Sequence, residues 1–233
     1  MRKNLGKIIL LNVIGLSIFF SWYVPVEHGV WFAVDKSIFY YFNEQLQPES
    51  TFAYLVGLTN VRHFDIISLL AMLALYVYYY SKQDHSGKRK MWFIGITMLL
   101  CAVVLNQLGH LIPVQRCSPT GFFENIHRVS KMLPFKTKDY SGDSFPGDHG
   151  LMLLIYAGFM LRYFGKKAFA VSCVIFIVFM LPRIMAGAHW LTDIAVGSLS
   201  IALVGLSWVL LTPLSDKCID FLNKIIPDSS AAK

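Results

Sequence analysis

"SFPGDHGLMLLIYAGFMLRYFGKK", Ser144 to Lys167, decides the class of this chain. A turn dense in Gly, Pro, Asp and His opens directly into an apolar run that ends at two lysines. Pro146, Gly147 and Asp148 are residues that stop one helix and start another. The run beyond this turn is long enough and apolar enough to raise the question of a membrane, and the rest of the chain answers it.

A span needs roughly 20 mostly apolar residues. Six blocks qualify or nearly do: Ile8–Val24, Phe64–Tyr80, Met91–Gly109, Gly150–Phe164, Ala168–Ala186 and Trp190–Leu211. The fourth is short unless its helix begins near Gly147. Apolar residues are gathered in these blocks rather than spread at helical periodicity. Composition agrees, with 55% hydrophobic residues, 15% charged and a mean hydropathy of +0.53, whereas a soluble domain carries about 25% charged residues. Six spans with short connections use most of 233 residues. The expected fold is therefore all-α, a polytopic six-transmembrane-helix bundle, with residues 1–233 forming one membrane domain and no separate soluble module. The basic start and apolar core of the N-terminus imitate a secretory signal. Trp22, Tyr23, Pro25 and Val26 follow the apolar run where a small-residue cleavage site belongs, so an uncleaved first span is expected.

Orientation follows from Lys and Arg in the connections. One side carries Arg2, Lys3, Lys7, Lys82, Lys88, Arg89, Lys90, Arg162, Lys166, Lys167, Lys217, Lys224 and Lys233, thirteen in all. The other carries six, Lys36, Arg116, Arg128, Lys131, Lys136 and Lys138. Both termini are expected in the cytoplasm, and Ser144–Gly150, the loop before it and the bend near Gly187 face away from it. The sequence pI of about 9.2 reflects this topology and gives no reason to invoke nucleic acid. Of four cysteines only Cys117 is on the outer side, so no intramolecular disulfide is expected. No metal-type Cys/His cluster or two-metal carboxylate group is present, so neither metal nor cofactor is expected.

A second constellation lies between the fifth and sixth blocks, "PRIMAGAHWLTD", Pro182 to Asp193. His189 and Asp193 are four apart and share a helix face. A carboxylate one turn below a histidine accepts one ring N–H, fixes the tautomer and leaves the other nitrogen's lone pair outward. Arg183, across the Ala186-Gly187-Ala188 bend, has a guanidinium suited to bidentate phosphate binding. Gly147, Asp148 and His149 open the fourth block, where free backbone N–H groups and the helix dipole favour an anion. Two outward helix starts, each with a histidine, plus an arginine and a basic loop, fit phosphoryl transfer best. A His–Asp pair that merely caps a helix and a proton-coupled transporter are the competing readings. Asn106, Gln107, Arg62 and Asp65 are expected to hydrogen-bond between helices rather than do chemistry.

These residues resemble the type 2 phosphatidic acid phosphatase superfamily. Arg183, five residues, His189, three residues, Asp193 is similar to its third motif, and Pro146-Gly147-Asp148-His149 to its middle motif, usually Pro-Ser-Gly-His. Gly147-Asp148 stands for the usual Ser-Gly, and Pro182 for the Ser before the third-motif arginine. The first motif, Lys, six residues, Arg-Pro, is represented by Arg116 and Pro119 without the Lys. Along the whole chain the resemblance is to the branch that moves a phosphate from undecaprenyl pyrophosphate to the 1-phosphate of lipid A in the Gram-negative inner membrane. It implies a periplasmic site with undecaprenyl pyrophosphate as donor and lipid A as acceptor. His189 is then the nucleophile and forms a phosphohistidine, Asp193 orients it, and His149 is acid and then base. Arg183, Arg116, Gly147 and Asp148 are assigned to the phosphate site, where Asp148 either repels misplaced phosphate or holds His149. Hydrolysis of undecaprenyl pyrophosphate by water is the alternative that the same residues allow.

Overall fold

A computed structural model describes residues 4–226, so Arg2, Lys3 and Lys233 of the charge argument lie outside the described residues. Those residues contain eleven α-helices and no strand. The long ones are α1 (Leu5–Tyr23), α4 (Arg62–Ser81), α5 (His85–His110), α8 (Asp148–Phe164), α9 (Lys166–Met185) and α10 (Leu199–Leu211). A π-helical turn, Asp193–Ser198, leads into α10 without a break. Shorter helices are α2 (Val30–Asn43), α3 (Thr51–Leu58), α6 (Pro119–Phe122), α7 (Val129–Met132) and α11 (Leu214–Ile225).

Among the described residues, five helices are long and apolar enough to cross a membrane: α1, α4, α5, α9 and the continuous Asp193–Leu211. The fourth block of the sequence is α8, which begins at Asp148 with Gly147 as its N-cap and has 17 residues, fewer than the others. Leu69, Leu73, Val103, Val104, Val174 and Ile177 point outward from the long helices and are exposed. Such a belt is stable against lipid and unstable against water; this is a membrane protein.

α8 is the central helix. Leu151, Ile155 and Phe159 pack against Phe93 and Leu105 of α5 and Ala202 and Leu210 of α10. Its Leu153 packs instead with Ile175, Phe179 and Ile184 of α9 and Ile194 of the π-helical turn. At the C-terminal end of α8, α11 is tied down by Arg162 to Asp216 (2.9 Å) and Tyr163 to Ser215 (2.9 Å).

At its N-terminal end α2, α3 and the segment 111–147 form a cap. Leu46, Ala53 and Val56 bury against Val129, Leu133 and Ala186. Asn43 stitches the cap by donating to the His127 carbonyl (2.7 Å) and accepting its N–H (3.1 Å). In the sequence the stretch before the second block reads as a simple connection. Neither α2 (14 residues) nor α3 (8 residues) is long enough to span, which is why a search for spans passes over them.

Candidate active site

The bend between α9 and the next helix makes the first half of the site. The N–H groups of Ala188 and His189 both donate to the Arg183 carbonyl, at 3.0 and 3.3 Å, so Arg183 and His189 belong to one tight turn. Gly187 turns the chain with φ +72°, and a Cβ there would lie 2.7 Å from the Phe39 ring and 2.8 Å from Thr120 Cγ2. Both the backbone angle and the space demand glycine.

The next helix begins at Leu191, and Asp193 reaches back to accept the Trp190 N–H at 2.9 Å, the carboxylate half of a capping box. The same oxygen lies 3.3 Å from His189 Nδ1, and the Ser144 carbonyl lies 3.1 Å from that nitrogen. Both neighbours of Nδ1 only accept, so Nδ1 carries the hydrogen and Nε2 keeps the lone pair. The tautomer a nucleophile requires is thereby set by the surroundings.

Asp193 is fully buried, and its other oxygen accepts from Arg116 Nη1 at 3.2 Å. Arg116 continues the network: Nη1 donates to Thr192 Oγ1 (2.7 Å) and Nη2 to Asp35 Oδ2 (2.8 Å). The Thr192 hydroxyl and N–H both donate to Asp35, at 2.5 and 3.0 Å. The guanidinium lies 4.3 Å from the Trp190 ring centroid, within cation–π range. Burial pushes the Asp35 carboxyl above its ordinary range, while Arg116 and Thr192 pull the other way. One guanidinium serves two buried carboxylates. Two carboxylates and one guanidinium thus stand just behind His189.

The second half of the site centres on Asp65 in the first turn of α4. Arg183 Nη2 is ion-paired with Asp65 Oδ1. Lys138 Nζ lies 3.1 Å from Asp65 Oδ2, and His149 Nε2 lies 3.8 Å from Oδ1. The second separation is an ion-pair distance and too long for a hydrogen bond. The chain of contacts His149–Asp65–Arg183–His189 brings the two predicted histidines to one end of the bundle.

Three expectations about the phosphate-site residues meet a different geometry. Arg116 has its two Nη atoms engaged by Asp35, Thr192 and Asp193, because two buried carboxylates in its surroundings demand a cation. Gly147 donates its N–H to the Asp193 carbonyl (3.1 Å), so that N–H is not offered to an anion. The absence of a side chain there matters for packing instead, since a Cβ would stand 3.2 Å from both Ile194 and Ser198 Oγ. Asp148 Oδ2 pairs with His110 at 3.3 Å, and its Oδ1 has no hydrogen-bond partner. Asp65, expected to hydrogen-bond between helices, does so from α4 to Arg183 of α9, and it also lies beside His149. Asp35 and Lys138, which carried no assignment from the sequence, are in the site too.

Among the described residues no group of three or more His, Cys, Asp or Glu is arranged to hold a metal ion. The arrangement offers a nucleophilic imidazole backed by a carboxylate, a second imidazole beside a carboxylate, and two cations from separate elements. Residues 91–215, more than half of the chain, match the PAP2 superfamily. The chain belongs to that superfamily. It is also 56% identical over 228 residues to Lipid A 1-diphosphate synthase of Escherichia coli (strain K12), covering 97% of this chain and 96% of that protein. No solved structure matches it. The PAP2 match takes in Arg116, Gly147, Asp148, His149, Arg183, His189 and Asp193, whereas Asp35 and Asp65 lie outside it. Both carboxylates thus come from the part of the chain that the PAP2 match does not reach, on α2 and α4.

Proposed function

We propose that this protein is a lipid phosphotransferase that makes lipid A 1-diphosphate, with undecaprenyl pyrophosphate as donor and the 1-phosphate of lipid A as acceptor. The observation that carries the reading is His189 Nδ1 between two acceptors, the Ser144 carbonyl at 3.1 Å and Asp193 at 3.3 Å. That placement supports Nε2 as a nucleophile. The name of the 56% identical relative supports the acceptor.

In this reading His189 Nε2 attacks the terminal phosphorus of the donor. The bond from that phosphorus to the bridging oxygen breaks, and His149 gives the departing undecaprenyl phosphate its proton. The phosphohistidine ring, protonated at Nδ1, is positively charged and is stabilised by Asp193, 3.3 Å from that nitrogen. His149, now neutral, takes the proton from the acceptor phosphate. An oxygen of that phosphate attacks the phosphohistidine phosphorus, and the P–N bond breaks. Arg183 offsets charge on the equatorial oxygens. Arg116 acts one step back, by fixing Asp193, and does not touch phosphate.

The charge distribution supports a site outside the cytoplasm. Lys82, Lys88, Arg89, Lys90, Lys166 and Lys167 lie at the far end of the bundle, where the positive-inside rule puts the cytoplasm. Six spans, with α8 as the shortest, give both termini the cytoplasmic side and the site the periplasmic side. Purified protein incubated with labelled donor, with and without lipid A, tests the proposal. Label on lipid A is the expected result. Inorganic phosphate released equally in both tubes would make it a hydrolase instead.

A further inference from the structure

Asp65 gathers three basic groups from three elements: Arg183 from α9, His149 from α8 and Lys138 from the cap. Arg183 and His149 already have parts in the reaction; Lys138 has none. Its side chain is 47% exposed, and an exposed Lys–carboxylate pair adds little to stability by itself. The backbone beneath it is nevertheless firmly held. The Lys138 N–H donates to the Asn60 carbonyl at 2.8 Å. Asn60 is fully buried, and its side chain donates to the Pro182 carbonyl at 2.9 Å, one residue before Arg183. One buried asparagine therefore registers Lys138 against Arg183. On the other side Asp139 is buried and accepts from Arg128 (2.9 Å) and the Ser130 N–H (2.9 Å). The main chain is pinned on both flanks while the ammonium stays accessible.

We propose that Lys138 is a phosphate-binding residue of this site, and that Asp65 is an internal anion competing with phosphate for Lys138 and Arg183. The proposal rests on the phosphoryl-transfer reading of the site. A carboxylate and a phosphate both accept from guanidinium and ammonium groups, so the contacts Asp65 makes are those a phosphoryl oxygen needs. Arg183 and Lys138 together outweigh the single charge on Asp65. The site therefore remains net attractive to a dianion while holding its two cations in place, and an anion has to contend with Asp65 to bind. Asp65 then selects for highly charged phosphates over singly charged anions.

The two residues predict opposite signs, which a merely structural role would not produce. The full-length protein in detergent is titrated with orthovanadate and, separately, inorganic phosphate, by calorimetry and without lipid. Lys138→Ala should weaken binding about tenfold, the loss of one charge-assisted hydrogen bond, and Lys138→Arg should restore most of it. Asp65→Asn, which keeps an acceptor for Arg183, should tighten binding about three- to tenfold by removing a like charge. Gel-filtration elution at the wild-type volume checks that each variant is folded. Binding by the wild type that Lys138→Ala leaves unchanged, or that Asp65→Asn weakens in folded protein, overturns the proposal alone. No anion binding by the wild type overturns the phosphoryl-transfer reading and this proposal with it.

Discussion

Replacing Asp193 by asparagine isolates the feature on which the chemistry turns, the tautomer of His189. Asp193 accepts three hydrogen bonds: His189 Nδ1 and the Trp190 N–H on one oxygen and Arg116 on the other. An amide supplies one oxygen and one NH2, so one side must face donors with a donor. Turning the NH2 toward Arg116 sets it against a buried cation. Turning it toward Trp190 and His189 sets it against a neutral N–H and a ring that can move its proton, which costs less. The second orientation wins and draws the hydrogen of His189 to Nε2, removing the lone pair that attacks phosphorus. A comparable mis-set tautomer in a Ser-His-Asp triad lowers kcat by about 10⁴-fold. Here the Ser144 carbonyl, 3.1 Å from Nδ1, still favours the productive tautomer. The expected loss for Asp193→Asn therefore falls between about 10² and 10⁴, or about 3 to 5.5 kcal/mol at about 1.4 kcal/mol per decade. Single-turnover transfer of label from donor to lipid A measures it, with a thermal melt to show that the variant is folded. A folded variant with a rate within about fivefold of wild type would refute the tautomer argument.

Arg116→Ala should leave Asp35 and Asp193 buried without their cation, costing about 3–5 kcal/mol of stability. If Arg116 acts only through Asp193, whatever activity survives should show a lower kcat with an unchanged KM; a raised KM with unchanged kcat would return Arg116 to the phosphate. Topology is checked by periplasmic reporters fused at Ser86 and Tyr140, with activity expected only at Tyr140 and the reverse pattern contradicting the proposed orientation. Turnover should survive thorough chelation by EDTA, and loss that Mg²⁺ or Zn²⁺ restores would contradict an unaided histidine nucleophile.

What the sequence displays and what it hides divide along contact distance. Apolar blocks are local, so the helices that became α1, α4, α5, α9 and α10 could be read directly, as could the start of α8 at the Gly147-Asp148 turn. His189 and Asp193 are one helical turn apart, and Arg183 is joined to them through a single bend, so the proximity of these three was legible. Asp35 reaches Thr192 across 157 positions, and Asp65 reaches Arg183 across 118. Each is a lone carboxylate near the membrane, and nothing beside it in sequence names its partner. The contacts of Arg116 were hidden for the same reason: its type suits a phosphate, but the two carboxylates that its Nη atoms meet come from α2 and from the helix that begins at Leu191. A signal for Asp35 did exist. It is a charged residue between the apolar flanks of "WFAVDKSIFYYF", and a charge in that setting is retained when a partner compensates it.

If phosphate passes through His189, a phosphoenzyme must form, and trapping it is the decisive measurement. Protein mixed with donor carrying labelled terminal phosphate, without lipid A, is quenched in alkali and separated from free lipid. A histidine nucleophile predicts label on the protein that survives alkali and is lost in acid, as a phosphoramidate must be, and its absence in His189→Ala. In His149→Ala the same label should form slowly, and a donor with a good leaving group, such as an aryl phosphate, should restore its rate, because general acid catalysis contributes about 10²–10⁴-fold. Phosphoenzyme that forms in His189→Ala and is lost in His149→Ala would place the nucleophile on α8 and contradict the proposed mechanism.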